Sequence, residues 1–300
     1  MDTFFSGHSG EFYSLAAACS WACASLVFTS ASRALGAGNL NRIRILLAAV
    51  ILALAVATVS GWDWLGNLSA TDFIALSASG VIGLVIGDRF YFAALDRLGP
   101  KFSTQLFSHN PVWSALLAAY ILSEAVGRLQ FVGMVVAISG VLLATSGRTV
   151  GTVSPSERIK AMLYALIASV CQAVGFVIAK YALANHASAL EGNLIRMSSA
   201  AGVIWALAAI QGKVVSTIRS LERPRARRLA LLGTIFGPTL GVWLGLMGIT
   251  HTAVGVASTL MALTPLLVIV ILTVVHGERL SAQNTIGATI AFAGVALIFL

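Results

Sequence analysis

The stretch FSTQLFSHNPVWSALLAAYILSE (102–124) has a counterpart 154 residues further on, VASTLMALTPLLVIVILTVVHGE (256–278). The step carries Pro111 onto Pro265 and Glu124 onto Glu278, and it also carries Gly83, Gly87, Gly133 and Gly140 onto Gly237, Gly241, Gly287 and Gly294. Proline and glutamate each occur only six times in 300 residues, so their agreement at one offset indicates internal duplication rather than chance. A step of 152 extends the repeat, placing Cys19 on Cys171, Asn41 on Asn193, Ile43 on Ile195 and Arg44 on Arg196. The two-residue change of step puts an insertion in the loop before the eighth hydrophobic segment. In a membrane protein such a repeat is the usual construction of a secondary transporter, with the substrate site between the halves.

Both quoted segments are apolar runs of about 20 residues, long enough to cross a hydrocarbon core of roughly 30 Å. Hydrophobic residues make up 58% of the chain and charged residues only 10%, against roughly 25% charged in an average soluble domain. Ten such runs are read, at 13–31, 43–61, 73–95, 102–122, 129–147, 159–181, 194–211, 229–250, 253–275 and 282–300. In lipid each must be helical, because a lone span satisfies its backbone polar groups only in a helix and the dyad alternation of a membrane barrel is absent. The expected fold is therefore all-α integral membrane: ten transmembrane helices in two five-helix repeats, 12–147 and 158–300. Cys19, Cys23 and Cys171 all fall inside spans, an odd number without zinc or disulfide spacing, so they read as small packing residues and no metal site is expected. The first 12 residues carry Asp2 and Glu11 but no lysine or arginine, unlike the basic start of a cleaved signal peptide, so the first span is expected to be retained.

A net charge of +8 would suggest nucleic acid in a soluble protein, but here the basic residues sit in short loops between spans and report topology instead. Sixteen of the 19 lysines and arginines fall on the side reached after the first, third, fifth, seventh and ninth spans; only Arg128, Lys180 and Arg196 remain for the other. The positive-inside rule places that side in the cytoplasm and both termini outside. Five helices per half is an odd number, so the second half enters from the opposite side and the repeats are inverted. The basic connection near 212–228 is expected at the cytoplasmic surface, beside anionic lipid.

Several of these residues form a pattern. Each half has an arginine opening its second helix (Arg44, Arg196), a glycine-rich third helix, a proline within the fourth (Pro111, Pro265), an acid closing it (Glu124, Glu278) and a glycine-rich fifth helix. Together with Gly87-Asp88-Arg89-Phe90-Tyr91-Phe92-Ala93-Ala94-Leu95 and Gly277-Glu278-Arg279-Leu280, this resembles the EamA domain of the drug/metabolite transporter superfamily, over nearly the whole chain. The resemblance implies a transporter rather than an enzyme, with amino acids, other metabolites, sugars and drugs among the superfamily's substrates. Its members are described with cytoplasmic termini, the opposite of the orientation given by the charge count.

Ionisable groups inside spans are costly and mark candidate sites. Asp88 lies seven residues before the end of the third span and His109 seven residues into the fourth, which sets both roughly 10 Å below the same surface. One reading makes them a proton-responsive or substrate-contacting pair; the other pairs Asp88 with Arg89 or Arg97 and leaves His109 hydrogen-bonded within the bundle. Gln105 and His109, four apart, form a polar stripe whose counterparts are Thr259 and Leu263, so the first half is expected to contribute more of the chemistry. Trp21 and Ser25 on the first span, Tyr91 on the third and Gln172 on the sixth are cavity candidates, with ordinary interhelical bonding as their alternative. Arg44 and Arg196 either snorkel to headgroups or attract an anionic group of the substrate, and Lys180 has the same two readings. Glu124 and Glu278, which end their helices at loops, read as structural. Pro111 and Pro265 remove backbone hydrogen bonds at matching depths and are hinge candidates. The glycine pairs of the fifth and tenth spans read as close packing.

The function expected is a secondary transporter moving a small organic metabolite, amino acid or drug outward by alternating access, in the inner (plasma) membrane of a bacterium. No P-loop is present, so the energy must come from an ion or solute gradient, with protons one possibility. Its partners are the small-molecule substrate and the lipid bilayer; no cofactor and no nucleic acid are implied, and the sequence leaves the oligomeric state open. The rival readings are an intramembrane enzyme, for which no nucleophile faces His109, and a lipid-handling or sensory membrane protein. Orientation is open to direct measurement. In a variant lacking the native cysteines, an impermeant thiol reagent applied to intact cells is expected to label a cysteine placed at 67 and to spare one placed at 225; the reverse pattern gives the opposite orientation.

Overall fold

Apolar runs that cannot hydrogen-bond to their surroundings close their backbone bonds on themselves, and the fold is accordingly built of helices. The computed structural model describes residues 7–61, 63–145, 154–184, 187–276 and 281–300. Its helices are α1 Ser9–Leu35, α2 Ala37–Val59, the single turn α3 Trp64–Asn67, α4 Ala70–Gly80, α5 Asp88–Phe107, α6 Asn110–Ile121, α7 Arg128–Thr145 and α8 Pro155–Leu183. The second half follows with α9 Ala189–Ile210, the surface helix α10 Val214–Arg219, α11 Pro224–Thr234, α12 Val242–His251, α13 Val254–Met261, α14 Thr264–His276 and α15 Ala282–Ile298. Two widened, π-helical stretches, Val81–Gly87 and Ile235–Gly241, join α4 to α5 and α11 to α12.

The 154-residue step governs these bounds. It carries α4 onto α11, Val81–Gly87 onto Ile235–Gly241, Asp88 at the start of α5 onto Val242 at the start of α12, and Arg128 at the start of α7 onto Ala282 at the start of α15. Among the described residues, eight helices are long and apolar enough to cross a membrane: Ser9–Leu35, Ala37–Val59, Ala70–Leu98, Arg128–Thr145, Ser156–Leu183, Ala189–Ile210, Pro224–His251 and Val254–Val274. The expected tenth span appears as a shorter apolar helix, Ala282–Ile298. The expected fourth span, 102–122, is not one continuous helix: it stops at Phe107 and restarts at Asn110. In the expected ninth span the same interruption falls between Met261 and Thr264. Pro111 and Pro265 each follow the first residue of the restarted helix, where a missing N–H costs nothing. Glu278 and Arg279 lie outside the described residues.

The helical stretch Asp88–Phe107 cannot be one straight rod. The Tyr91 and Thr104 hydroxyls are 3.2 Å apart and the Tyr91 and Phe107 rings 4.9 Å apart between centroids, whereas 13 residues of straight helix span about 20 Å. The chain therefore doubles back between them, giving two antiparallel helices as the sequence implied.

Contacts near the helix ends join residues from different connections. Glu11 at the start of α1 accepts from Thr252 at 2.8 Å, and Lys180 near the end of α8 donates to the Thr252 carbonyl at 2.8 Å. At the opposite end Arg97 meets Glu157 at 3.5 Å, Arg42 donates to Thr217 at 3.1 Å and Gln283 to the Leu143 carbonyl at 2.9 Å.

The outside is apolar as well as the core, and small and polar residues are among those buried. Leu54, Ile74, Leu116, Tyr120, Ile210 and Val274 stand exposed on the outside, while Ala17, Ala18, Ala22, Ala24, Ser14, Ser79 and Asn193 are buried. Lipid gives helices no hydrophobic reason to associate, so small residues and close approach hold them together. The closest approach joins α7 to α15. A Cβ on Gly140 would lie 2.3 Å from the Ala291 nitrogen and 2.6 Å from the Gly287 oxygen, and one on Gly133 would lie 2.7 Å from the Gly294 oxygen. Residue numbers rise along α7 as they fall along α15, so the two helices are antiparallel.

These distances make a substitution test sharp. Gly140→Val meets backbone that cannot yield and is expected to cost about 3 kcal/mol or more. Gly202, with nothing within 4 Å of its Cβ position, is the control: Gly202→Ala is expected to be neutral or to stabilise by about 1 kcal/mol. Thermal unfolding in detergent checks both.

Candidate functional site

Two buried arginines, equivalent by the repeat, organise the interior. Arg44 sits one helical turn beyond Asn41 on α2, so the two side chains share a face, and Asn41 Oδ1 accepts from Arg44 Nε at 2.8 Å. Arg44 Nη2 forms an ion pair with Asp88 Oδ2. The guanidinium carbon lies 5.4 Å from the Phe28 ring centroid and 5.7 Å from that of Phe92. The pair is thus flanked by two aromatic faces, with side-chain exposures of 8% for Arg44 and 20% for Asp88. The headgroup-snorkelling reading of Arg44 is corrected here: its charge is turned inward onto a carboxylate. Asp88 likewise pairs with neither Arg89 nor Arg97, since Arg97 reaches Glu157 instead.

Arg196 is 1% exposed, and its charge also stays inside. Nη1 donates to the Ser79 hydroxyl and, at 3.1 Å, to the Gly175 carbonyl, while Ser79 itself donates to Gly175 O at 2.6 Å. Nε has no partner. The cause lies three residues earlier: Asn193, equivalent to Asn41, donates instead to the carbonyls of Pro238 and Thr239 at 3.1 and 3.2 Å. Those carbonyls belong to the π-helical stretch where Pro238 has no N–H to give. Position 242, equivalent to Asp88, is valine.

Close approach of the third crossing to α8 and α9 fixes this geometry. A Cβ on Gly80 would lie 2.4 Å from the Arg196 carbonyl oxygen, and one on Gly175 would lie 3.2 Å from the Ser79 oxygen. A Cβ on Gly83 would lie 3.6 Å from Gln172 Oε1 and 3.7 Å from Arg196 Nη2. Gln172 and Arg196 therefore converge on the bare face of Gly83.

The other candidates are dispersed. Tyr91, one turn beyond Asp88, bonds Thr104 and meets the Phe107 ring at a tilt of 57°. No hydrogen bond or ion pair joins Asp88 to His109: His109 Nδ1, in the break between α5 and α6, is 3.0 Å from the Leu106 carbonyl three residues before it. Gln105 donates to the Leu142 carbonyl at 3.4 Å. Ser25 donates to the Ala22 carbonyl at 3.0 Å, and Trp21 packs against Gly241, whose Cβ would lie 2.8 Å from the indole nitrogen. Lys180 ties the halves together, 2.5 Å from Glu124 Oε1, while Glu124 Oε2 accepts from the Val254 N–H at 2.8 Å. This pair lines a cavity of about 310 Å³ with Leu122, Tyr181 and Ala184.

Sequence reasoning missed Phe28, Phe92, Asn41 and Ser79. A signal existed for Asn41, since it and Asn193 recur with the arginines at the same step. None existed for Ser79, whose counterpart is Gly233.

Residues 8–146 and 159–300 each match the EamA-like transporter family. The chain belongs to that family. Together with its apolar helices, this makes it an integral, multi-pass membrane protein of the drug/metabolite superfamily, which would bind a small-molecule substrate. A crystal structure is similar over 96% of both chains, with a TM-score of 0.77 and 18% identity, a likeness of fold alone. No curated protein matches. Against this EamA-like background the ion pair is open to a stability test. Asp88→Leu strands a buried guanidinium and is expected to cost about 3–5 kcal/mol, while Arg44→Leu/Asp88→Leu recovers most of it. Thermal unfolding of the purified variants, compared as a double-mutant cycle, checks the coupling.

Proposed function

We propose that this EamA-like protein is a secondary transporter with ten membrane crossings, built as inverted five-helix repeats over 12–147 and 158–300. It moves a small organic metabolite, amino acid or drug outward by alternating access, in the inner (plasma) membrane of a bacterium. The observation that carries this reading is the contact between α7 and α15. Gly133 and Gly140 of one helix meet Gly294 and Gly287 of its antiparallel equivalent. Sequence-equivalent helices that cross antiparallel are related by a two-fold axis, and such an axis lying in the membrane plane turns one half upside down. The count of ten takes the interrupted segment ending at Ile121 and the short helix Ala282–Ile298 as crossings alongside the eight long ones.

Matched helix breaks before Asn110 and Thr264 support rocking of the halves, with Pro111 and Pro265 at the hinges. Contacts between the halves bracket the bundle, Glu124 with Lys180 at one end and Arg97 with Glu157 at the other; alternating access breaks them in turn. Asp88, Tyr91, Arg44, Gln105, His109, Trp21, Ser25, Gln172 and Arg196 remain the substrate-binding or coupling candidates. Asp88 is the proposed proton acceptor, because an acid held only by Arg44 exchanges that partner for a proton without leaving the interior.

Purified protein in liposomes tests the reading. Solute efflux accelerated by an imposed proton gradient is expected, with Asp88→Asn lowering coupled flux at least tenfold and His109→Ala weakening its pH dependence. Flux that is insensitive to pH in the wild type removes proton coupling. Conversion of a solute without movement favours an intramembrane enzyme, and neither flux nor conversion favours a lipid-handling or sensory protein.

A further inference from the structure

Arg196 is a cation without an anion. Two equivalent arginines stand in equivalent helices, yet only Arg44 has a carboxylate and an asparagine oxygen. At Arg196 the position of the carboxylate is Val242 and the asparagine has turned to Pro238 and Thr239. Nε and Asn193 Oδ1, the counterparts of a bonded pair in the first half, both lack partners. The acids on the neighbouring elements are already committed, Asp88 to Arg44. Glu191 accepts from the Ser188 N–H at 2.8 Å and Asp72 from the Ser69 hydroxyl at 2.7 Å, each capping its own helix. Neutral groups, the Ser79 hydroxyl and the Gly175 carbonyl, take only Nη1.

A buried charge that is solvated by dipoles alone is among the most costly features a membrane interior can carry. An arginine kept there, where leucine would cost nothing, needs an anion during some part of the cycle. The free edge of the guanidinium says which kind. Nε and Nη2 present two parallel N–H donors, the fork that matches the two oxygens of a carboxylate. One uncompensated positive charge neutralises one negative charge, which fits a monoanionic carboxylate better than a dianionic phosphate. Beside Nη2, the Gln172 amide is half-buried and turns Oε1 toward Gly83; rotating the amide by a half-turn would present Nε2 there as a neutral donor. Both groups lie within 3.7 Å of where a Cβ on Gly83, in the π-helical stretch, would stand, so a side chain there would crowd them.

We propose that Arg196 and Gln172, over the bare face of Gly83, form the subsite that holds the carboxylate of an organic anion substrate. This rests on the transport reading and narrows its substrate class. The Arg44–Asp88 pair is then the coupling element, already neutral, and Arg196 is the recognition element, neutral only when loaded.

The test uses solutes that share a skeleton and differ in charge: benzoate, benzamide and benzylamine, and butyrate, butyramide and butylamine, at equal ionic strength. Purified wild-type protein is expected to gain about 2 °C or more in apparent melting temperature with at least one carboxylate and nothing comparable with its amide or amine. Arg196→Gln is expected to weaken that binding by about 30-fold or more. Gln172→Leu leaves the hydrogen bonds of Arg196 intact and covers the case in which the first variant does not fold; it is expected to weaken binding several-fold. No shift with either carboxylate, equal shifts with the amides or amines, or undiminished binding in the variants that fold overturns the proposal. The same proteoliposomes separate the two readings. Carboxylate binding lost in Arg196→Gln without any flux leaves the subsite and overturns transport, whereas flux of amides or amines with no carboxylate binding leaves transport and overturns the subsite.

Discussion

Backbone against backbone, with no side chain between, is the contact on which the rest of this bundle depends. At the crossing of α7 and α15, a Cβ on Gly140, Gly287 or Gly294 would lie within 2.4 Å of a main-chain nitrogen of the other helix. Each glycine in a helix interior costs about 1 kcal/mol relative to alanine. Four of them at one crossing therefore represent about 4 kcal/mol set against helix formation. In lipid, where burying apolar surface gains nothing, the compensation must come from dispersion between closely apposed backbones. The same device recurs where Gly80 meets Arg196 and where Gly10 meets Thr252, so the positions of the buried charges follow from where glycine allows helices to meet.

The interior charges fall into two kinds. Glu124 with Lys180 and Arg44 with Asp88 are closed pairs whose removal one partner at a time is costly, because each leaves a stranded ion. Arg196 has dipoles but no ion. Pairs of the first kind bridge elements and hold a conformation; the second kind is stable only to the extent that something else supplies the charge. On the proposed reading, taking a solute in and letting it go needs both.

Much of the fold was legible because the repeat converts weak local signals into paired ones. Gly83 and Gly87 alone would be unremarkable, but their recurrence as Gly237 and Gly241 marks the two π-helical stretches. Pro111 and Pro265 marked the helix breaks in the same way, although periodicity could not show that 102–122 is interrupted rather than bent. The site was less legible. Depth along a helix follows from counting residues and set Asp88 near the level of His109, but azimuth does not, and the partner of Asp88 proved to be Arg44 on another helix. Azimuth depends on which faces the glycines bring together, and that is a property of the whole packing. Arg44 and Arg196 were matched correctly as a pair, and their different surroundings were invisible because the residues responsible, Ser79 and Val242, depart from the repeat.

Those departures matter more than the symmetry they break. A scaffold of two equivalent halves has two conformations of similar energy, each half taking the other's role, and this is the cheapest way to arrange a switch between open ends. Perfect symmetry would leave nothing to bias the switch. Here Lys180, the partner of Glu124, has Phe28 as its equivalent, and Phe28 lies against Gly233 and Gly237 beside Arg44. An ion pair thus joins the halves at one end, and at the equivalent place an aromatic ring sits on glycine. A population reversed from 1:99 to 99:1 needs about 5.5 kcal/mol of differential interaction, the scale on which a buried ion pair or a neutralised arginine acts. In the proposed cycle, the residues that depart from the repeat set which end opens, and the repeat itself keeps the difference small enough for one solute to overturn.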